Sequence, residues 1–111
     1  MGTSVAWMRH YTDKPGYNSI RSQVDWRFEA RQPPSPDHPV GAYFTDLPSD
    51  TPNLALKLRI SAAKAAYCFP FRDIGDLRPI RGHRGKHIFY SPEDYVVVQA
   101  RQGAIEELQS P

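Results

Sequence analysis

The distribution of proline constrains the fold of this chain more than any other feature of the sequence. Eleven of the 111 residues are proline, and residues 31–39 alone contain four of them. Because proline fixes φ and has no amide proton, it interrupts helix interiors and central strands. The sequence therefore predicts short helices and strands joined by long irregular connections. Residues 31–39 are expected to be either a disordered insertion or a loop beside a site.

The length and composition are those of one globular domain that covers residues 1–111. Hydrophobic residues make up 40% of the chain and charged residues 23%, which are ordinary values for a globular protein. The formal net charge of +2 is well below that of a typical nucleic-acid-binding domain, so a nucleic acid is not the expected partner. A mild positive charge is compatible with an anionic small molecule.

The sequence has no clear signal for a disulfide, a membrane span, secretion or a metal. The single cysteine, Cys68, cannot form an intrachain disulfide and is expected to be a small buried hydrophobe. No apolar run has the length of a membrane span, and no signal peptide is visible. We therefore expect a cytoplasmic protein with no membrane partner, with export by a non-classical route as the alternative. The histidines lack zinc-ligand spacing, so no metal is predicted.

The first part of the chain predicts a strand, a helix and a second short strand. Residues 5–11 are rich in aromatic and β-favouring types, which is typical of a strand. Asp13 is a candidate helix N-cap, and apolar residues at helical spacing extend the predicted helical face as far as Val24. In residues 26–28, aromatic and charged side chains alternate, which indicates an extended segment.

The remaining pattern predicts one further helix and four further strands. The helix is expected over residues 53–63, and the strands are expected over residues 40–44, 67–71, 87–90 and 95–100. The strand at 67–71 should lie near a sheet edge because Pro70 cannot donate a hydrogen bond. The tail at 104–108 is expected to fray. This order predicts an α+β domain with a mainly antiparallel sheet, either continuous or split.

Two short segments on predicted strands combine polar and aromatic side chains. The first is His10-Tyr11-Thr12, and the second is Gly-Ala-Tyr-Phe-Thr-Asp at residues 41–46, which places Tyr43 33 residues after His10. Together they resemble the small His-Tyr-Asp class of ADP-ribosyltransferases, which is found among secreted toxin domains and their stand-alone relatives. The resemblance extends from about His10 to Val98. It implies an ADP-ribosyltransferase-like split antiparallel sheet with short helices, NAD as the substrate, and cleavage of the nicotinamide–ribose bond.

The resemblance also implies roles for individual residues. The imidazole of His10 would hydrogen-bond the adenosine ribose of NAD, for which a neutral ring has one donor and one acceptor. The backbone of Tyr11 would bind the nicotinamide carboxamide, and the Tyr43 ring would stack on the nicotinamide. Thr12 and Thr45 could add hydrogen bonds nearby. The structural alternatives are a histidine at a strand end and a core tyrosine.

The third member of the site should be a carboxylate. Cleavage of a glycosidic bond builds positive charge on the ribose, and a nearby carboxylate stabilises that charge. Asp73, directly after the strand predicted at 67–71, is the first choice as the catalytic acid. Asp94 is the second choice and Asp76 the third, and Glu93 is a further candidate.

The acceptor of the ADP-ribose would be a protein or a small molecule. One alternative is an NAD glycohydrolase on the same fold, with water as the acceptor. The other is a non-enzymatic module that binds its partner through the basic segment at residues 78–86, whose simpler interpretation is a solvated run of charge.

Overall fold

The strands in the described part of the chain form two antiparallel sheets of unequal size. The computed structural model describes residues 6–32, 38–80 and 87–108. Within these ranges the larger sheet contains six strands, in the spatial order β5 (Arg78–Pro79), β6 (Ile88–Ser91), β3 (Ala42–Thr45), β1 (Trp7–Thr12), β4 (Tyr67–Arg72) and β8 (Glu106–Glu107). The smaller sheet pairs β2 (Trp26–Phe28) with β7 (Tyr95–Val97). The protein is therefore a mixed α+β domain, as its sequence predicts.

The first helix, α1 (Lys14–Arg21), begins where the sequence predicts it. The Asp13 carboxylate accepts a hydrogen bond from the Gly16 amide at 3.1 Å and so caps the helix. The helix ends at Ser22, and the amide of the next residue, Gln23, donates to the Ile20 carbonyl at 3.0 Å. The expected continuation of its apolar face to Val24 is wrong, since Val24 lies beyond the helix and is 70% exposed.

The helix predicted over residues 53–63 is confirmed in its first half only, because the chain forms two shorter helical pieces there. The helix α2 (Leu54–Leu58) ends at Arg59, which has a left-handed backbone with φ of 58°. A residue in this conformation redirects the chain and ends a helix. After it, Ser61 caps a separate 3₁₀ helix, Ala62–Ala65. Neither α1 nor α2, the α-helices in the described residues, is long and apolar enough to cross a membrane.

The strand predictions are largely confirmed, with shifts of one or two residues at their ends. The strand expected over residues 95–100 is shorter than predicted, because β7 gives way to a 3₁₀ helix at Gln99–Arg101. The tail does not simply fray, since β8 pairs with β4. Strand β4, which contains Pro70, lies next to the edge strand β8. It is therefore near a sheet edge, as expected. Residues 33–37 and 81–86, where irregular or turn-rich chain was expected, lie outside the described residues.

The core fills the space between the two sheets and consists mainly of aromatic rings. Phe28 on β2 meets Phe44 on β3 at a ring-centroid distance of 5.3 Å, with the ring planes nearly perpendicular. Phe71 on β4 meets Phe44 with the same edge-on geometry. Such pairs add about 0.5–1.5 kcal/mol to the stabilisation from burial. Cys68 is fully buried, on the opposite face of β4 from Phe71.

Strand β1 is paired very unequally with its two neighbours. All six of its residues pair with β4, from Trp7 opposite Arg72 to Thr12 opposite Tyr67. Its ladder with β3, in contrast, consists of the single pair Arg9–Thr45. The ladder between β1 and β3, the two strands that contain the segments identified in the sequence, is consequently the shortest among the described strands.

Candidate functional site

His10 lies in the middle of β1, on the face that packs against the smaller sheet. Its ring centroid is 4.6 Å from that of Phe28 and 5.7 Å from that of Phe44. The ring nitrogen Nδ1 lies 3.0 Å from the carbonyl oxygen of Tyr43. Because a carbonyl oxygen only accepts, Nδ1 must carry the proton, and Nε2 of the neutral ring has a free lone pair. Burial lowers the pKa of His10, although the bond to Tyr43 acts in the opposite direction, so the neutral ring is favoured.

The side chain of His10 substitutes for main-chain pairing between β1 and β3. If the register of Arg9 with Thr45 continued, Tyr11 would lie opposite Tyr43, but the ladder does not extend that far. The Tyr43 carbonyl instead accepts the His10 imidazole proton. The two strands therefore leave their ladder at the position where the sequence predicts that the main chain of Tyr11 binds a carboxamide.

Tyr11 is held on the face of the sheet opposite His10. Its hydroxyl donates a hydrogen bond to the Leu47 carbonyl at 2.8 Å. Burial, with a smaller contribution from Cys68, raises the pKa of the Tyr11 phenol. The segment after β3 thus crosses over the side chain of Tyr11, which fixes this end of β1.

Tyr43 is half-buried and lies on the face of β3 opposite the core residue Phe44, as its sequence position predicts. Its ring is roughly parallel to those of His38 and Tyr90, with centroids 5.9 Å and 5.8 Å away. Its hydroxyl donates to the carbonyl of Pro39, and burial raises its pKa. A nicotinamide ring stacked on Tyr43 would have to replace the ring of His38 or that of Tyr90.

The side chains of His10 and Tyr43 lie on opposite faces of the sheet. Both are close to the same end of it, where β1 finishes at Thr12 and β3 begins at Ala42. A ligand that contacts both side chains must therefore curve around these strand ends. Thr12 is half-buried at this end. The Thr45 hydroxyl, in contrast, donates to the His87 carbonyl at 2.6 Å and also accepts from Leu47, so it is committed to a turn.

The structure does not bring Asp73 together with His10 and Tyr43. The Asp73 amide bonds to the Ala6 carbonyl, which places this residue beside the beginning of β1 and away from its end. The carboxylate accepts from the Gly75 amide at 2.9 Å and forms a turn.

Asp76 also has a structural partner, because its carboxylate accepts the Tyr95 hydroxyl at 2.6 Å. The hydroxyl of Tyr95 in turn accepts a bond from Arg101 at 2.9 Å. Burial, followed by the bond to Asp76, raises the pKa of Tyr95 to about 12. This network connects β7 to the turn after β4 and involves neither His10 nor Tyr43.

Asp94 is the candidate acid connected to the strand that packs on His10. Its carboxylate accepts from the Ala30 amide at 2.9 Å and from Arg27 at 2.6 Å. These two bonds hold its pKa below the usual value, with the bond from Ala30 as the larger cause. Ala30 lies two residues after Phe28, whose ring contacts His10. Glu93, the residue before Asp94, is exposed.

Sequence analysis did not single out Trp7 and Arg9, which line an open groove on the sheet. The alternation along β1 was the available signal, because it places Trp7, Arg9 and Tyr11 on the face opposite Met8 and His10. Within residues 6–32, 38–80 and 87–108, no three His, Cys, Asp or Glu side chains come together as metal ligands. No family model, curated protein or solved structure matches this chain.

Proposed function

We propose that the protein is an ADP-ribosyltransferase that cleaves the nicotinamide–ribose bond of NAD and transfers ADP-ribose to a protein or small-molecule acceptor. The main support is that the ladder between β1 and β3 ends at the Arg9–Thr45 pair. Beyond this pair, the His10 imidazole bonds to the Tyr43 carbonyl. This arrangement brings together the two sequence segments that resemble the His-Tyr-Asp class. The presence of a second, smaller sheet agrees with a split-sheet fold of that class.

His10 is proposed to bind the adenosine ribose of NAD. Its Nδ1 proton is used by the Tyr43 carbonyl, so Nε2 is the atom that can accept a hydrogen bond from a ribose hydroxyl. The lowered pKa keeps that acceptor unprotonated at neutral pH. The rings of Phe28 and Phe44 contact the imidazole and so restrict its rotation.

The nicotinamide end of NAD is proposed to bind where β1 ends and β3 begins. The main chain of Tyr11, which has left the ladder with β3, would hydrogen-bond the carboxamide. Tyr43 would offer its ring after the displacement of the His38 ring, the neighbour on the loop side. Thr12 lies at the same strand end and can add a contact.

The chemical step separates nicotinamide from the ribose. The C1′–N bond breaks, its electron pair leaves with nicotinamide, and the ribose becomes oxocarbenium-like. A nucleophilic oxygen or nitrogen of the acceptor then bonds to C1′ and loses its proton. The carboxylate that stabilises the developing charge is proposed to be Asp94, because of its link to the strand beside His10, and Asp73 remains the alternative implied by the resemblance.

Calorimetry with NAD and measurement of nicotinamide release together test this proposal. NAD should bind, and His10→Ala should weaken NAD and ADP-ribose to a similar extent because both contain the adenosine ribose. His87→Ala is the matched control, since this exposed histidine bonds to Asp46, which follows the other end of β3. Isotopically labelled NAD would distinguish modified acceptor from free ADP-ribose, the product of a glycohydrolase. The absence of NAD binding would refute the proposal.

A further inference from the structure

An open groove of about 290 Å³ lies on the face of the six-stranded sheet opposite His10. It runs over β1 and β4, beside the segment that leads into β8. The residues that line it are Trp7, Arg9, Pro70, Gly103, Ala104 and Glu106. None of them belongs to the NAD site proposed above, so the groove requires a separate explanation.

Arg9 gives the groove a positive charge that no ion pair in the described residues neutralises. One nitrogen of its guanidinium, Nη1, donates to the Asp46 carbonyl at 3.2 Å. Within the described part of the chain, no carboxylate forms an ion pair with Arg9. Its Nε atom is buried and has no hydrogen-bond partner among the described residues. Because an unpaired buried donor is unfavourable, a ligand that supplied an acceptor after a rotation of this side chain would be favoured.

Trp7 and Pro70 provide flat apolar walls. The indole is 37% exposed, although it is a large aromatic side chain. Gly103 packs directly on it, because a Cβ atom at this position would lie 2.8 Å from Cζ3 of Trp7. The Gly103 amide also bonds to the Pro70 carbonyl at 2.8 Å, which fixes this segment beside the indole. The groove therefore offers a rigid surface for a planar ring.

Glu106 limits the charge that a ligand can bring. Its carboxylate lines the groove and accepts a hydrogen bond from the Ser49 hydroxyl at 2.6 Å. Repulsion by this carboxylate grows with the negative charge of the ligand, so a dianion or a phosphate is disfavoured relative to a monoanion. A single carboxylate can instead bind the guanidinium of Arg9 through two parallel hydrogen bonds.

We propose that this groove binds a small aromatic monocarboxylate, with the ring on the exposed side of the Trp7 indole and the carboxylate on Arg9. The groove volume is close to the lower limit for small-molecule sites, which agrees with a ligand of one or two rings. This site goes beyond the proposed function, and neither depends on the other.

Benzoate and benzamide are a matched pair of probes, because they share the ring and differ in the negative charge. In a titration followed by nuclear magnetic resonance of the ¹⁵N-labelled protein, benzoate should shift the Trp7 indole N–H signal and the Gly103 amide signal. The affinity for benzamide, measured from the same two signals, should be at least 10-fold lower. Equal affinity of the two probes, or benzoate-induced shifts confined to other residues, would overturn the proposal.

Variants of Arg9 test the guanidinium directly. Arg9→Gln should weaken benzoate at least 10-fold, whereas Lys57→Gln, which removes one exposed charge on α2, should leave its affinity unchanged. Arg9→Lys keeps the charge but cannot form the paired hydrogen bonds, so it should weaken benzoate at least 3-fold. If Arg9→Gln does not fold, Arg9→Lys alone decides. Unchanged affinity in a folded Arg9 variant would contradict the proposal.

Discussion

The imidazole of His10 donates its Nδ1 proton to the main-chain carbonyl of Tyr43, although the two side chains lie on opposite faces of the sheet. This bond selects the tautomer of His10 and leaves Nε2 as an acceptor. It also uses the Tyr43 carbonyl at a position where β1 and β3 no longer form a ladder. The relationship between the two residues is therefore one of side chain to main chain, and their side chains are not neighbours in one pocket.

The stability of the protein should decrease as the pH falls below about 6.5, and His10 should be responsible. Its pKa in the folded state is below the ordinary value of 6.5 because of burial. Below that value the unfolded chain binds a proton that the folded protein resists, so protonation favours unfolding. For one bound proton, the free energy of unfolding changes by at most about 1.4 kcal/mol per pH unit. Urea unfolding at pH 8.0, 6.5 and 5.5 measures it.

His10→Asn is the appropriate variant, because its amide can still donate to the Tyr43 carbonyl but does not titrate. The loss of stability between pH 6.5 and 5.5 should be smaller in this variant than in the native protein. An unchanged slope in His10→Asn would mean that another group takes up the proton.

Tyr43→Leu should weaken NAD binding by about 2- to 13-fold, the equivalent of 0.5–1.5 kcal/mol for a lost aromatic stacking contact. Tyr43→Phe should retain most of the affinity, because the ring remains and only the hydroxyl bond to Pro39 is lost. Calorimetry with NAD would measure both, with thermal unfolding as a check on folding. Equal affinity of the Leu and Phe variants would show that the ring does not stack on nicotinamide.

Asp94→Asn should lower the rate of nicotinamide release by at least 100-fold with little change in NAD affinity. The carboxylate acts on charge that appears in the transition state, whereas bound NAD gains little from it. The change also weakens the bonds to Arg27 and Ala30, so thermal unfolding must accompany the assay. Arg27→Gln is the control that loses the exposed ion pair and keeps the carboxylate.

The same assay on Asp73→Asn decides between the two acids. If the release of nicotinamide falls in Asp73→Asn and persists in Asp94→Asn, Asp73 is the catalytic acid despite its turn near the beginning of β1. Full activity in both variants would remove the carboxylate from the proposed mechanism.

Tyr95→Phe should destabilise the protein by about 1–3 kcal/mol. The change removes the hydroxyl that donates to Asp76 and accepts from Arg101, and hydrogen bonds to charged groups contribute more than neutral ones. The ring and its packing on Phe44 remain. Tyr90→Phe, at a half-buried position on β6, is the matched control and should change the free energy of unfolding by less than about 0.5 kcal/mol.

The strands of this protein could be predicted from the sequence because their signals are local. The alternation of Trp26 and Phe28 with Arg27 is sufficient to identify β2, and both aromatic residues are buried. The end of α2 could not be predicted in this way. Arg59 is neither glycine nor asparagine, so nothing in its side chain indicates the left-handed backbone that ends the helix.

The candidate site shows the same division between local and long-range information. The alternation in residues 41–46 correctly placed Tyr43 and Phe44 on opposite faces of β3. It could not show that His10 belongs to the face of Phe44, because that depends on the register of β1 with β3. The position of Asp73 beside the beginning of β1 likewise depends on a bond to Ala6, which is far away in the chain.

The single Arg9–Thr45 pair has a consequence for how the native protein opens. It divides the larger sheet into two ribbons, β5-β6-β3 and β1-β4-β8, each with longer ladders of its own. In native-state hydrogen–deuterium exchange, ribbons joined so weakly should act as separate cooperative units. The amide protons of β3 and β6 would then exchange together, with an opening free energy different from that of β1 and β4.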